Sequence, residues 1–236
     1  MRAPEFIRTK IQIDLLMSDP VLFGAAYSVY VRTVRLALAE RCVPYRLVEI
    51  DIFAPEGPLA DYAARHPFNR IPAFEHDGCR LYETGAIARY VDEAFPGPSL
   101  MPDDVRARAR VHQVISILDN YGYRSMVWGV FTECVRAPVQ GRAPDAAKID
   151  AAVVLADKCL GALEDLVVPN GPAMLGASVT LADLYLAPMM RYFTMAREGA
   201  DLLDARPRLS AWWQFMKPRL VEKQEFEVTF YKSLFQ

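Results

Sequence analysis

The chain has 236 residues and a formal net charge of −2, from 27 basic and 29 acidic side chains. This balance leaves no excess of positive charge to hold a nucleic acid or an anionic membrane surface, so we expect neither as a partner. The four cysteines form no Cys-x-x-Cys motif, and the three histidines are scattered. These counts argue against a dithiol redox centre and a metal site, and they favour the reducing cytoplasm.

The first 19 residues form an N-terminal extension in our interpretation. Gln12 and Asp14 interrupt its apolar residues, so it makes a poor signal peptide. Residues 6–13 alternate partly like a strand, which leaves an extra edge strand and a disordered segment as open alternatives. No later stretch reaches the roughly 18 apolar residues that a membrane helix requires.

Residues 20–98 alternate between strand and helix patterns and are predicted to form the first of two domains. A short apolar run at 21–23 predicts a buried strand, and Val31, Val34 and Leu38 then recur at helical spacing. A second strand is predicted at 45–50, followed by a loop and a weak helix near 59–65.

A hairpin and a helix complete this domain. Asp77-Gly78 separates two short apolar strands, and an Asp-Gly pair favours the positive backbone angles of a hairpin turn. A helix is predicted to begin near Thr84 and to end before Pro96. The predicted order is therefore βαβαββα.

Residues 103–236 are predicted to form an all-helical second domain, behind a linker that contains three prolines between 96 and 102. The longest amphipathic stretches run over 106–135 and 146–167. Thr180 and Asp183 have the spacing of a capping box, for which we expect a structural role. The fold class is thus α/β followed by all-α.

Two places in the sequence bring polar groups to a helix N-terminus. Glu83-Thr84 lies where a strand passes into a helix, so it presents a carboxylate, a hydroxyl and free backbone N–H groups at one point. Such a point suits a small zwitterion. Ser28 lies at the start of the first predicted helix, where its position alone indicates an N-cap.

Four segments resemble those of the cytosolic glutathione transferase family, of the serine type and most closely its phi class. They are residues 22–34 (LFGAAYSVYVRTV), 66–74 (HPFNRIPAF), 81–84 (LYET) and 180–183 (TLAD). The resemblance implies a thioredoxin-like N-terminal domain, a cis bond before Pro72 and glutathione as co-substrate. It also implies an enzyme that activates the glutathione thiol for attack on a hydrophobic electrophile.

The resemblance assigns the catalytic role to Ser28. Its hydroxyl would donate a hydrogen bond to the glutathione thiolate, while the helix N-terminus contributes partial positive charge. Tyr27 and Tyr30 are competing donors, and Tyr27 is kept as a minor alternative.

The resemblance also assigns the residues that bind glutathione. Glu83 would accept hydrogen bonds from the γ-glutamyl ammonium, and Thr84 would hold the γ-glutamyl carboxylate. The Ile71-Pro72 pair would present backbone groups to the peptide, as an added strand would meet them. Arg70 could reach the glycyl carboxylate or the peptide carbonyls.

The electrophile is expected between the domains, against the first helix and the long helix. Large apolar side chains with a few polar tips suit such a site. The candidates are Tyr27, Val29, Tyr30, Tyr121, Tyr123, Met126, Val127, Trp128 and Phe131.

Several alternatives stay open at the level of the sequence. The same activated thiol would serve an isomerase, a dehalogenase or a peroxidase, and a scaffold or binding protein would keep the fold without turnover. A homodimer is expected, in which Phe68 could insert into the partner subunit or could instead anchor its own loop. Glu56 and Pro58 stand in a loop where the phi class has basic side chains, so the partner of the glycyl end is left open, and His66 is expected to order its loop.

Overall fold

The computed structural model describes residues 19–54, 57 and 61–222. Residues 1–18 of the predicted extension lie outside this range, as do Glu56 and Pro58 of the loop that departs from the phi class. The weak helix expected near 59–65 is represented in the described part by a single 3₁₀ turn, Tyr62–Ala64.

A four-stranded sheet forms the core of the N-terminal part. The strands are β1 (Val21–Phe23), β2 (Arg46–Val48), β3 (Ala73–His76) and β4 (Cys79–Tyr82), in the spatial order β2-β1-β3-β4. Strand β1 is parallel to β2 and antiparallel to β3, which pairs with β4 in an antiparallel hairpin. Asp77 and Gly78 have φ of 46° and 75°, so the predicted hairpin turn is confirmed.

Two helices pack together beside this sheet, namely α1 (Val29–Glu40) and α2 (Thr84–Ala94). Each begins at a point that the sequence singled out, α1 directly after Ser28 and α2 at Thr84. Together with the helical part described next, this arrangement confirms the predicted fold class, a thioredoxin-like domain followed by helices.

Every regular element described after α2 is helical. Helix α3 (Val105–Ile117) continues without a break into a π-helical stretch, Leu118–Arg136, which we call the π segment, and ends in the α-helical turn Ala137–Val139. It is followed by α4 (Ala146–Leu166), α5 (Leu181–Phe193), α6 (Arg197–Asp204) and α7 (Pro207–Glu222).

The capping box predicted at the start of α5 is present and forms part of a larger network. The fully buried Asp183 carboxylate accepts hydrogen bonds from the backbone N–H and the hydroxyl of Thr180, at 2.8 and 2.9 Å. It also accepts from the Met174 backbone N–H and the Trp212 indole N–H, both at 2.8 Å. One carboxylate therefore joins α5 to α7 and to the loop before α5.

The π segment packs closely on α4. Such turns are rare in proteins and usually single, whereas this stretch spans 19 residues. A Cβ atom built on Gly129 would lie 2.2 Å from the Ala152 Cβ atom, so this crossing has no room for a side chain.

We expect Gly129→Ala to lower the free energy of unfolding by about 1 to 3 kcal/mol, because the added methyl group overpacks the contact with α4. Gly161→Ala is the matched control, since Gly161 lies within α4 and a Cβ atom there would meet nothing within 4 Å. This control should gain up to about 1 kcal/mol from the better helix propensity of alanine. Urea denaturation at one fixed protein concentration measures both, and equal effects of the two substitutions would contradict the close crossing.

Candidate functional site

A cavity of about 1220 Å³ lies between the sheet domain and the helices. One wall consists of the start of α1 and the chain after β2. A second wall runs from His66 to the first turn of α2, and the third is the π segment together with Tyr192 of α5. All six residues expected to bind glutathione or activate its thiol line this cavity, namely Ser28, Arg70, Ile71, Pro72, Glu83 and Thr84.

Ser28 is the N-cap residue of α1. Its backbone is extended, with φ −69° and ψ 129°, and its hydroxyl oxygen accepts a hydrogen bond from the Val31 N–H at 3.5 Å. Among the described residues, no acceptor takes the hydrogen of this hydroxyl. The half-buried side chain faces the cavity at the positive end of α1, where it can donate to an anion.

Two hydrogen bonds fix the loop in front of Ser28. The Glu49 carboxylate accepts from the Ala26 N–H at 3.2 Å, and the Tyr192 hydroxyl donates to the Tyr27 carbonyl at 2.6 Å. Burial raises the pKa of Glu49, although the Ala26 N–H opposes this effect. Ser28 is thus held from the β2 side and from α5.

Glu83 and Thr84 face the cavity from the N-terminus of α2. Glu83 has φ 70° and ψ 120°, a conformation that is rare for a residue with a side chain and costs about 1 to 3 kcal/mol. Within the described ranges, the Glu83 carboxylate has no hydrogen bond and no ion pair. Thr84 is buried and begins the helix, so its N–H belongs to the first turn and has no partner within the helix.

Arg70 and the Ile71-Pro72 pair border the cavity next to α2. The Ile71-Pro72 bond is cis, as the resemblance implied. The Tyr62 hydroxyl donates to the Arg70 carbonyl at 2.7 Å and holds the chain at this point. The exposed Arg70 guanidinium makes no ion pair in the part of the chain that is described.

His66 lies deeper, between these groups and the aromatic rings of its loop. It is buried, and its ring centroid is 5.0 Å from that of Tyr82. Burial lowers the pKa of His66; Glu83 opposes this shift and Arg70 adds to it. The imidazole is therefore neutral at pH 7.

Two tyrosines on the α1 side donate their hydroxyl hydrogens to carboxylates. The Tyr30 hydroxyl donates to Asp119 at 3.0 Å, and the Tyr27 hydroxyl donates to Asp51 at 3.3 Å. Burial, followed by these carboxylates, raises the pKa of both phenols above the usual range. Tyr27 and Tyr30 are thus neutral and already engaged, whereas the hydrogen of Ser28 is available.

Most of the expected electrophile-pocket residues line the cavity, with two corrections. Tyr121 is 53% exposed and Met126 is fully buried, and neither lies on the cavity wall. The residues that line it are Tyr27, Val29, Tyr30, Tyr123, Val127, Trp128 and Phe131.

Tyr121 and Met126 were expected there because of their side-chain type, but the segment turns the first toward solvent and buries the second in the core. The residues of the π segment that line the cavity are Asp119, Tyr123, Val127, Trp128, Phe131, Thr132 and Arg136. Asp119 and Arg136 were missed because the candidates were large apolar side chains, and these two are charged.

Phe53, Glu49 and Tyr192 were also missed, and no local signal marks them, because they reach the cavity only through the packing of the chain. The described residues contain no group of three or more His, Cys, Asp or Glu side chains placed to hold a metal ion. None of the helices described here has the length and apolar character to cross a membrane.

Comparisons with known proteins point to one family. Residues 22–99 match the family model described as "Glutathione S-transferase, N-terminal domain", and residues 146–214 match "Glutathione S-transferase, C-terminal domain". Glutathione S-transferase F13 of Arabidopsis thaliana is 28% identical over 195 residues, covering 82% of this chain and 88% of that protein. A glutathione S-transferase of Hyoscyamus muticus is 30% identical over 196 residues, covering 81% and 90%. The crystal structure of glutathione transferase F7 from Populus trichocarpa superposes with a TM-score of 0.76 at 27% identity, covering 88% of this chain and 100% of that one.

Proposed function

The chain belongs to the glutathione S-transferase family, and we propose that it joins the thiol of glutathione to a hydrophobic electrophile, with Ser28 stabilising the thiolate. The hydrogen bonding of the Ser28 hydroxyl is the main support for this proposal. The hydroxyl oxygen accepts a hydrogen bond from a backbone N–H of α1, and its own hydrogen stays available to a ligand in the cavity.

Activation of the thiol is the chemical task. A free thiol has a pKa of about 8.5, so only a few per cent is ionised at neutral pH. A hydrogen bond from Ser28 and the positive end of α1 both favour the anion, which lowers the pKa of the bound thiol. In this mechanism the sulfur of glutathione is the nucleophile and the serine only stabilises it.

The cavity wall at the start of α2 suits the γ-glutamyl end. The Glu83 carboxylate accepts hydrogen bonds from the ammonium, and the Thr84 N–H and hydroxyl bind the carboxylate. Ile71 offers its backbone to the peptide, and Arg70 binds the glycyl carboxylate or the peptide carbonyls. The lack of other partners for Glu83 and Arg70 among the described residues supports this assignment.

The electrophile occupies the aromatic side of the cavity in this proposal. Tyr30 and Tyr123 have ring centroids 4.5 Å apart, and Phe53 and Trp128 have centroids 6.2 Å apart. These rings give the cavity apolar surface next to Ser28 and along the π segment.

The same proposal keeps the domain division at 20–98 and 103–236 and places the protein in the cytoplasm, where the four free thiols would stay reduced. It also includes a homodimer. Phe68 is 67% exposed and Tyr82 is 40% exposed, and their rings lie 6.3 Å apart beside the cavity. Exposed neighbouring aromatic rings are a common feature of interfaces between subunits.

Ser28→Ala should raise the pKa of the bound glutathione thiol and lower turnover about 10- to 100-fold, the loss expected for a hydrogen bond to a charged group. The pH dependence of kcat/KM and the ultraviolet absorbance of the thiolate measure the shift. Affinity for glutathione should stay within about threefold. Ser116→Ala, on the exposed side of α3, is the control. Unchanged turnover in Ser28→Ala would remove Ser28 from the mechanism.

Glu83→Gln should weaken glutathione binding about 10- to 100-fold, because the ammonium loses a charged acceptor. Isothermal titration calorimetry gives the dissociation constant directly. Glu93→Gln removes the same charge from an exposed position of α2 and should bind glutathione like the natural protein. Equal affinities of the two variants would contradict the γ-glutamyl assignment.

Phe68→Ser should shift the protein from a mass of two chains toward a mass of one, because a polar side chain would replace an aromatic anchor of the interface. Size-exclusion chromatography with light scattering, over a series of dilutions, measures this. Val154→Ser, at a position that is 72% exposed on α4, is the control. A single-chain mass for the natural protein would refute the dimer.

A further inference from the structure

Arg136 is a cation on the cavity wall, and no anionic partner for it is found among the described residues. It lies in the last turn of the π segment, and its guanidinium carbon is 5.2 Å from the centroid of the Phe53 ring. Among the described residues, no carboxylate lies within 4 Å of it and no oxygen accepts a hydrogen bond from its N–H groups. The cation–π contact with Phe53 uses the positive charge of the guanidinium but gives none of its five N–H donors a hydrogen-bond acceptor.

An arginine at a helix end usually has a simpler explanation. Basic side chains in a last turn commonly donate to the terminal carbonyls or interact with the helix dipole. The Arg136 guanidinium makes no such bond within the described part of the chain. The half-buried side chain instead faces the cavity, above an aromatic ring.

Three of the four carboxylates that line the cavity in the described part of the chain already have donors, and Glu83 is the exception. Asp51 accepts from the Tyr27 hydroxyl at 3.3 Å and from the Phe53 N–H at 2.8 Å. Asp119 accepts from the Tyr30 hydroxyl and Glu49 accepts from a backbone N–H. These three carboxylates therefore already accept hydrogen bonds from donors of the protein itself.

The ionic lining residues without a described partner belong to two parts of the cavity wall. Glu83 and Arg70 lie in the part assigned to glutathione, whose charged ends complement them. Arg136 lies on the aromatic side, beyond Val127 and Thr132 along the π segment. With glutathione bound in this way, Arg136 would still have no anionic partner in the described part of the chain, and it would lie next to the electrophile.

We propose that Arg136 binds an anionic group of the electrophile, so that the preferred substrates are aromatic electrophiles that carry a carboxylate. This inference rests on the proposed function and names its substrate class. A guanidinium can bind a carboxylate through two parallel hydrogen bonds, which would orient the aromatic body against Phe53 and Trp128.

A matched pair of substrates tests the charge. These are 4-chloro-3-nitrobenzoate and 4-chloro-3-nitrobenzamide, which have similar shape and differ in charge. In both, the thiolate sulfur attacks the carbon that bears chlorine, a C–S bond forms, chloride leaves with its bonding pair, and the thiol proton passes to solvent. Each kcat/KM is divided by the uncatalysed rate constant with glutathione, which removes the difference in intrinsic reactivity.

In Arg136→Gln, the ratio of the corrected kcat/KM for the benzoate to that for the benzamide should fall about tenfold or more, chiefly through KM for the benzoate. Arg136→Lys should restore part of the ratio because it keeps the charge. Arg124→Gln, at an exposed position of the same π segment that does not line the cavity, should keep the natural ratio. Thermal melting of the three variants identifies any loss of folding, which would lower both rates together.

An unchanged ratio in Arg136→Gln would overturn the inference. An equal loss of corrected kcat/KM with both substrates, together with weaker glutathione binding, would also overturn it. In that case Arg136 would bind the glycyl carboxylate of glutathione. If the natural protein converts neither substrate, the proposed function is at fault, and calorimetry with the two S-aryl glutathione conjugates decides the inference. Tighter binding of the carboxylate conjugate that is lost in Arg136→Gln would uphold it, and equal binding would overturn it.

Discussion

The buried carboxylate of Asp183 is the interaction on which the cavity depends. A carboxylate in an apolar interior is stable only when donors surround it, and this one accepts from Thr180, Met174 and Trp212. These donors come from the start of α5, from the loop before it and from α7. Removal of the carboxylate would leave buried donors unpaired, so its hydrogen bonds fix where α5 begins and how it lies in the helical core.

The position of α5 in turn determines the loop that carries Ser28. Tyr192 lies near the end of α5, and its hydroxyl donates to the Tyr27 carbonyl, one residue before the serine. Glu49 holds the same loop from the other side through the Ala26 N–H. The serine is therefore placed by residues from two parts of the chain, while its own hydroxyl still accepts from α1. A site that is positioned in this way needs little rearrangement when it stabilises a new charge.

The sequence predicted those features that a few neighbouring residues decide, such as the Asp-Gly hairpin turn, the cap of α5 and the starts of α1 and α2. The π-helical turns of Leu118–Arg136 could not be predicted in this way, because no cap, turn residue or hydrophobic repeat of the sequence distinguishes them from α-helical turns. A choice of large apolar side chains placed Tyr121 and Met126 in the cavity and missed Arg136. The positive φ of Glu83 was equally hidden, since a strand-to-helix junction can be built without it.

The chemical character of the cavity depends on which charged side chains already have hydrogen-bond partners within the protein. A count of the charged side chains does not show this. Asp51 and Asp119 line the cavity, but each accepts a hydrogen bond from the hydroxyl of a tyrosine whose pKa is raised by burial and by that same side chain. An acceptor that already takes a hydrogen bond from the protein can bind a ligand donor in its place only if that hydrogen bond breaks. Among the described residues, Glu83, Arg70 and Arg136 have no ionic partner, so a lining with more carboxylates than guanidinium groups still offers two cations and one anion to a ligand.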